Sequence, residues 1–199
     1  MKFFKRILFA AFLGLVALAA LNFTYLWKNL SYYIQRPEPV HVESFQQPGT
    51  AREKMEPDTL VIESLGIKTP VLYVSEVNEK KFEETLAGGI VHYPGTAALG
   101  ELGNSYIFGN SSDYPWAPGG RFKTIFALLP KIKAGEEIMV SNPDGDKFVY
   151  KVIETKIVAP TEMSVLDQRN YEKKLLSLQT CWPVGTALKR FVVVAELVE

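Results

Sequence analysis

Histidine and cysteine are scarce in this chain of 199 residues, which has two histidines and one cysteine. A single cysteine, Cys181, excludes an internal disulfide and a multi-cysteine metal cluster. The two histidines, His41 and His92, are far apart and lack the i, i+4 pairing of a helical zinc site. We therefore predict no metal and no cofactor.

The chain also has no excess of charge of either sign. Its 22 basic and 22 acidic residues give a formal net charge of zero. Proteins that bind nucleic acids usually show a basic excess. We therefore predict no nucleic-acid partner.

The N-terminus predicts a membrane anchor. A basic segment, residues 1–6, precedes an apolar run over residues 7–27. About twenty apolar residues span a bilayer as a helix, and the basic flank predicts a cytoplasmic N-terminus with the remainder exported. A cleavable signal peptide ending near residues 17–19 is the alternative. Apolar character continues beyond that point, which favours an uncleaved anchor.

These features divide the chain into four segments. We assign a cytoplasmic tail to residues 1–6, a transmembrane anchor to 7–27, a tether to 28–57 and a folded domain to 58–199. The tether is polar and interrupted by proline and glycine, which break regular structure. We expect a single-pass protein of the cell membrane whose folded domain lies outside the cytoplasm.

The folded domain predicts a mainly β structure. Segments rich in Val, Ile and Leu at 59–63 and 67–74 flank Gly66 and are typical of strands. Further strand patterns occupy 105–109, 137–140, 148–158, 175–181 and 190–198. About eight strands favour a small antiparallel-dominated barrel, closed so that no edge is exposed.

Two short helices accompany these strands. Asn78 is a suitable N-cap for a helix that ends at Leu86. The spacing of apolar residues from Phe122 to Leu129 predicts a second helix over residues 121–129, ended by Pro130.

A lone thiol lies near a permanent cation in the sequence: Arg190 follows Cys181 by nine residues. Cysteine attacks as its thiolate, and an unperturbed thiol with a pKa of about 8.5 is only a few per cent ionised at neutral pH. Arginine keeps its charge and offers a planar donor fork that suits an oxyanion or a peptide carbonyl. A buried apolar cysteine with an unrelated surface arginine is the simpler alternative.

Three sequence blocks carry a resemblance to a known family. They are Gly89-Ile90-Val91-His92-Tyr93-Pro94-Gly95-Thr96-Ala97, Gly103-Asn104-Ser105-Tyr106-Ile107-Phe108-Gly109, and Ser177-Leu178-Gln179-Thr180-Cys181 followed by Arg190. In this order they resemble the sortases, cysteine transpeptidases of bacterial cell surfaces, and in particular classes D and E. Sortases have Thr-Leu-x-Thr-Cys on one strand and an arginine on the next, and here a serine replaces the first threonine.

The resemblance covers roughly residues 58–198 and implies both fold and chemistry. It implies a sortase-like closed eight-stranded barrel in which Cys181 is the nucleophile. Arg190 would stabilise the tetrahedral intermediate or the substrate backbone. The implied substrate is a Leu-Pro-x-Thr-Gly-like sorting signal, transferred to an amine of the cell wall or a pilin.

One position departs from the family pattern. In sortases the strand ends in Gly-His, and that histidine is the acid/base, whereas here it ends in Gly109-Asn110. A neutral amide cannot take or give a proton near pH 7, and losing an acid/base typically costs about 10²–10⁴-fold in rate. Three explanations stay open: a naturally impaired protein that still binds its peptide, an active-site variant made to trap or silence the enzyme, or substitution by His92 on the neighbouring loop.

Four further residues are candidates for contact with a substrate. Thr180 and Trp182 flank the cysteine, and Tyr114 and Trp116 follow Asn110. A non-catalytic peptide-binding module is the main alternative function. A papain-like hydrolase is disfavoured, because those enzymes place a histidine after the cysteine and none follows Cys181 here.

Overall fold

The computed structural model describes residues 2–21, 23–34, 54–112, 120–168 and 172–198. They belong to two compact units, Met1–Arg36 and Pro37–Glu199. The first unit contains helices α1 (Lys2–Leu21) and α2 (Phe23–Ile34). The predicted anchor at 7–27 therefore includes most of α1 and the beginning of α2. Among the described residues, no helix is both long enough and apolar enough to cross a bilayer.

The second unit is a closed β-barrel, and its described residues form eight strands. These are β1 (Thr59–Ile62), β2 (Ile67–Tyr73), β3 (Ile90–His92), β4 (Gly103–Phe108), β5 (Glu137–Ser141), β6 (Lys147–Val158), β7 (Lys174–Trp182) and β8 (Lys189–Leu197). Around the barrel they follow the order β1-β2-β3-β4-β7-β8-β6-β5, and β1 pairs with β5 to close it. Among these eight described strands, only the pairs β2–β3 and β4–β7 are parallel. The predicted mainly β, antiparallel-dominated barrel is confirmed.

The first predicted helix is confirmed as α3 (Glu79–Leu86). The Asn78 side chain caps it, because Oδ1 accepts a hydrogen bond from the Lys81 N–H at 3.1 Å. Short 3-10 helices at Glu63–Leu65 and Ser164–Leu166 were not predicted.

The second predicted helix, over residues 121–129, is wrong. The segment instead contains two 3-10 helices, Gly120–Thr124 and Leu129–Lys131, joined by turns. Its apolar residues do face the core, but the N–H of Phe126 donates to the carbonyl of Asn110 at 2.9 Å. That N–H is therefore unavailable for an α-helical bond one turn back along the chain.

Side chains of β7 alternate between the barrel interior and its outer face. Leu176 and Leu178 face inward and are fully buried. On the outer face, Tyr106 of β4 packs with Val192 and Val194 of β8 beneath Val165, which lies in the β6–β7 connection. This outer apolar cluster supports the candidate site.

Candidate active site

A groove of about 430 Å³ lies over β4, β7 and β8. Residues of α3 and of the β6–β7 connection form its sides. Its apolar lining includes Phe82, Leu86, Phe108, Met163, Val165 and Leu166. Its polar lining includes Asn110, Gln179, Cys181 and Arg190. A thiol, a guanidinium and an amide therefore share one groove with both apolar and polar lining.

Cys181 and Arg190 are directly opposite each other on the antiparallel strands β7 and β8. Residues paired in this way point to the same face of a sheet, with Cβ atoms about 5 Å apart. Both are half-buried, so a bound molecule can reach them. Nη1 of Arg190 donates to the carbonyls of Ala187 and Lys189, each at 3.1 Å. These bonds hold the guanidinium against the end of the β7–β8 connection.

Asn110 reaches the groove because β4 runs parallel to β7. The register ends at the pair Phe108 and Gln179. Beyond it, the N–H of Gly109 donates to the carbonyl of Gln179 at 3.0 Å. Continuing this register sets Asn110 beside Cys181, and both residues line the groove.

Gly109 is the residue that permits this approach. A Cβ at this position would lie 2.7 Å from the Phe126 ring and 2.8 Å from Cγ2 of Ile90. Both distances are shorter than van der Waals contact, so a larger residue would push β4 away from its neighbours. The glycine of the Gly-Asn pair is therefore required by packing.

The structure places the other candidate histidine away from the thiol. His92 lies on strand β3 rather than on a loop, opposite Ile107 in the register, and is 7% exposed. Its Nε2–H donates to the carbonyl of Ala97 at 2.9 Å, and its ring packs against that of Tyr73 at a tilt of 35°. Burial lowers the pKa of His92, which that hydrogen bond opposes in part. His92 does not line the groove, so the prediction that it could substitute is corrected.

The structure corrects one predicted substrate contact and leaves another as a prediction. Thr180 lines the groove, but it is 1% exposed and its hydroxyl donates to the carbonyl of Gly109 at 2.8 Å, which joins β7 to β4. Trp182 packs on Phe191, on the face of β7 opposite to Cys181, and does not line the groove. Tyr114 and Trp116 lie outside the described residues.

Sequence reasoning missed a polar pair in the groove. The Tyr106 hydroxyl donates to Oε1 of Gln179 at 2.6 Å. Burial raises the pKa of Tyr106 well above its usual range, although the positive charge of Arg190 partly offsets this, so the hydroxyl keeps its proton. The alternation of β7 could have found Gln179, because a residue two positions before Cys181 shares its face.

The groove also carries negative charge. Glu79 and Glu83 of α3 and Glu162 of the β6–β7 connection line it. Hydrogen bonds from the hydroxyl and the N–H of Ser164 lower the pKa of Glu162, so this carboxylate is ionised at neutral pH. Among the residues that the structure describes, no group of three or more His, Cys, Asp or Glu could hold a metal ion.

Known proteins with a similar sequence or fold include several sortases. Sortase A from Listeria monocytogenes is 36% identical over 73 residues, which cover 37% of this chain and 32% of that protein. A Sortase D5 transpeptidase structure from Clostridium perfringens matches with a TM-score of 0.58 and 25% identity, covering 75% of this chain and 83% of that one. Sortase E from Streptomyces avermitilis matches with a TM-score of 0.54 and 27% identity, covering 72% and 89%. The Sortase domain family model matches residues 60–198, well over half of the sequence, and the chain therefore belongs to the sortase family.

Proposed function

We propose that this protein is a cysteine transpeptidase that acts on a sorting-signal peptide of exported proteins, with Cys181 as nucleophile. The observation that carries the proposal is the cross-strand pair of Cys181 and Arg190 facing one groove. The apolar lining suits the Leu-Pro portion of a Leu-Pro-x-Thr-Gly-like peptide. The carboxylates of Glu79, Glu83 and Glu162 favour the approach of a cationic acceptor, such as a cell-wall or pilin amine.

The reaction proceeds by two acyl transfers. The Cys181 thiolate attacks the carbonyl carbon of the threonine, and the Arg190 guanidinium stabilises the oxyanion. The C–N bond then breaks, the amine departs with a proton, and a thioester remains on sulfur. The acceptor amine attacks this thioester, loses a proton and forms a new amide, which returns the thiolate.

Asn110 limits both halves of this reaction. The first half needs a proton donor for the leaving amine, and the second needs a base for the attacking amine. A carboxamide supplies neither, although it can orient a group by hydrogen bonding. We therefore expect slow turnover or none in this chain.

A peptide-cleavage assay tests this account. Asn110→His should raise the rate of amide cleavage about 10²–10⁴-fold, because it restores a proton carrier at the position beside the thiol. Cys181→Ala in the Asn110→His background is the control and should abolish cleavage. Equal rates for the native chain and Asn110→His would contradict the proposed defect.

A second candidate function is a peptide-binding module on the same barrel. The observation that favours it is Asn110 itself, which leaves the groove intact without an acid/base. This function predicts that Cys181→Ala retains peptide affinity and the cellular phenotype of the native chain. Covalent trapping by an electrophilic peptide, followed by mass spectrometry, separates a reactive thiol from an inert one.

We also propose that residues 7–27 anchor the protein in the cell membrane with the barrel outside the cytoplasm. The support is the sequence, in which a basic flank precedes the apolar run. Protease added to intact protoplasts should digest the barrel and spare the N-terminal segment. Release of the chain by alkaline carbonate would contradict the anchor.

A further inference from the structure

Gln179 is a polar residue whose direct neighbours on the adjacent strands are apolar. On β7 it stands between Phe108 of β4 and Val192 of β8, its direct partners in the two registers. It is half-buried and lines the groove. Removing the N–H donors of a carboxamide from water costs free energy unless they find an acceptor. A molecule that covers Gln179 is therefore expected to offer its N–H groups an acceptor.

Tyr106 fixes the orientation of this carboxamide. Its hydroxyl donates to Oε1 of Gln179 at 2.6 Å, and Tyr106 is itself only 2% exposed. Because Oε1 accepts this bond, the Nε2 group with its two N–H donors points the other way. Within the part of the chain that the structure describes, Nε2 of Gln179 has no acceptor.

The spacing between Gln179 and Cys181 matches an extended peptide. Two residues along a strand cover about 6.6–6.8 Å and return to the same face. The carbonyls of an extended ligand repeat at the same interval. If the peptide lies along β7 with its scissile carbonyl at the Cys181 sulfur and its earlier residues over Gln179, the main-chain carbonyl two residues earlier lies over Gln179.

We propose that Gln179, oriented by Tyr106, donates a hydrogen bond to the main-chain carbonyl two residues before the scissile carbonyl of the bound peptide. Gln179 is then a residue that binds substrate, and Tyr106 is a positioning residue that acts through it. This inference rests on the proposed function, because it requires a peptide acyl segment in the groove. It adds a main-chain contact that does not depend on the peptide's side chains.

The test compares two alkylation rates of Cys181 in the full chain in detergent micelles. Iodoacetamide reports the intrinsic reactivity of the thiol. Leu-Pro-Ala-Thr chloromethyl ketone reports the same thiol with a peptide in the groove. The ratio of the second rate to the first measures the contribution of peptide binding, and it cancels changes in the thiol itself.

The variants remove either the donor or its orientation. Gln179→Met keeps an unbranched side chain of similar length without donors, and Gln179→Glu replaces the donors by a carboxylate. Tyr106→Phe removes only the orienting hydroxyl. Ser177→Ala is the matched control, because Ser177 is on the same face of β7, two residues farther from Cys181, and does not line the groove.

We expect Gln179→Met to lower the ratio on the order of tenfold, and Gln179→Glu to lower it at least as much. Tyr106→Phe should lower it less, and adding it to Gln179→Met should cause no further loss. Ser177→Ala should leave the ratio unchanged. A purely structural role would shift the unfolding midpoint without this pattern in the ratio.

A modified probe tests the same contact without changing the protein. An (E)-alkene in place of the Pro–Ala amide removes the carbonyl two residues before the threonine carbonyl. This probe should lose about as much rate as Gln179→Met causes, and it should react equally with the native chain and with Gln179→Met. An unaltered rate for the alkene probe with the native chain would overturn the proposed contact.

The two proposals fail in different ways. If the native chain reacts with iodoacetamide but reacts no faster with the peptide chloromethyl ketone, the proposed sorting-peptide function fails, and this inference fails with it. A different outcome is that the peptide raises the rate ratio, with no reduction of that ratio by Gln179→Met, by Gln179→Glu or by the alkene. In that case only the Gln179 contact is refuted.

Discussion

The two faces of strand β7 have different tasks in this protein. Leu176 and Leu178 point into the barrel, where they are fully buried, and Thr180 on the same face is hydrogen-bonded to Gly109. Gln179 and Cys181 point into the groove and remain half-buried. Strand side chains alternate with a period of two, so consecutive residues of β7 lie alternately in the barrel core and in the groove.

This separation means that the side chain at position 110 can change while the barrel is kept. The carbonyl of Asn110 accepts the N–H of Phe126 at 2.9 Å. That bond uses the main chain, so any side chain at position 110 can make it. The side chain of Asn110 faces the groove, and changing it alters the chemistry of the site with little effect on packing.

The largest expected effect comes from the interior face. Leu178→Ala should lower the free energy of unfolding by about 2–5 kcal/mol, because it leaves a cavity in a fully buried site. Chemical denaturation measures the loss. The folded fraction should still react with iodoacetamide at the native rate. A loss below about 0.5 kcal/mol would contradict the assignment of this face to the core.

Arg190 tests the groove face. Arg190→Lys keeps the charge but removes the planar donor fork, so we expect the rate of Cys181 labelling by a peptidyl chloromethyl ketone to fall on the order of 10²-fold. The free energy of unfolding should change by less than about 0.5 kcal/mol. Lys189→Met is the matched control, because Lys189 is exposed and pairs with Trp182 instead of Cys181. Equal losses in both variants would mean that the fork of Arg190 has no special role.

The sequence was sufficient to predict the barrel, and with the family resemblance it also predicted the pairing of Cys181 with Arg190. Sequence patterns predicted each of the described strands except β3, which has three residues, too few for a periodic pattern. The resemblance to sortases brought Cys181 and Arg190 together, and the register of β7 and β8 agrees. That agreement follows from local information, since both residues lie on one hairpin.

Other features depend on contacts that a sequence pattern does not contain. The predicted helix over residues 121–129 failed because a hydrogen bond to Asn110, distant in sequence, redirects the N–H of Phe126. His92 was predicted as a loop residue near the thiol, but its pairing with Ile107 turns it into the barrel. Tyr106 and Gln179 were missed as a pair because they lie 73 residues apart and meet only through the parallel β4–β7 register.

A smaller effect is expected from the hydrogen bond between Thr180 and Gly109. Thr180→Val keeps the shape of the side chain but leaves the buried carbonyl of Gly109 without this donor, at a cost of about 1–3 kcal/mol. Urea unfolding measures the change in stability. Because this bond joins β7 to β4 next to Asn110, the activity gained by Asn110→His should also fall in the double variant. Unchanged activity there would show that β4 keeps its position without the hydroxyl.

The smallest effect concerns pH and the interior histidine. Burial lowers the pKa of His92 below its usual 6.5, so the unfolded chain takes up the proton more readily than the folded one. The stability due to neutral His92 is therefore present above pH 6.5 and is lost as the pH falls through the lowered pKa of the folded state. His92→Gln keeps a donor for the Ala97 carbonyl but cannot titrate, so urea unfolding between pH 7.5 and 5 should show a smaller loss of stability in this variant than in the native chain. The carboxylates and His41 are common to both proteins and cancel in the comparison, and parallel pH profiles would contradict a neutral interior His92.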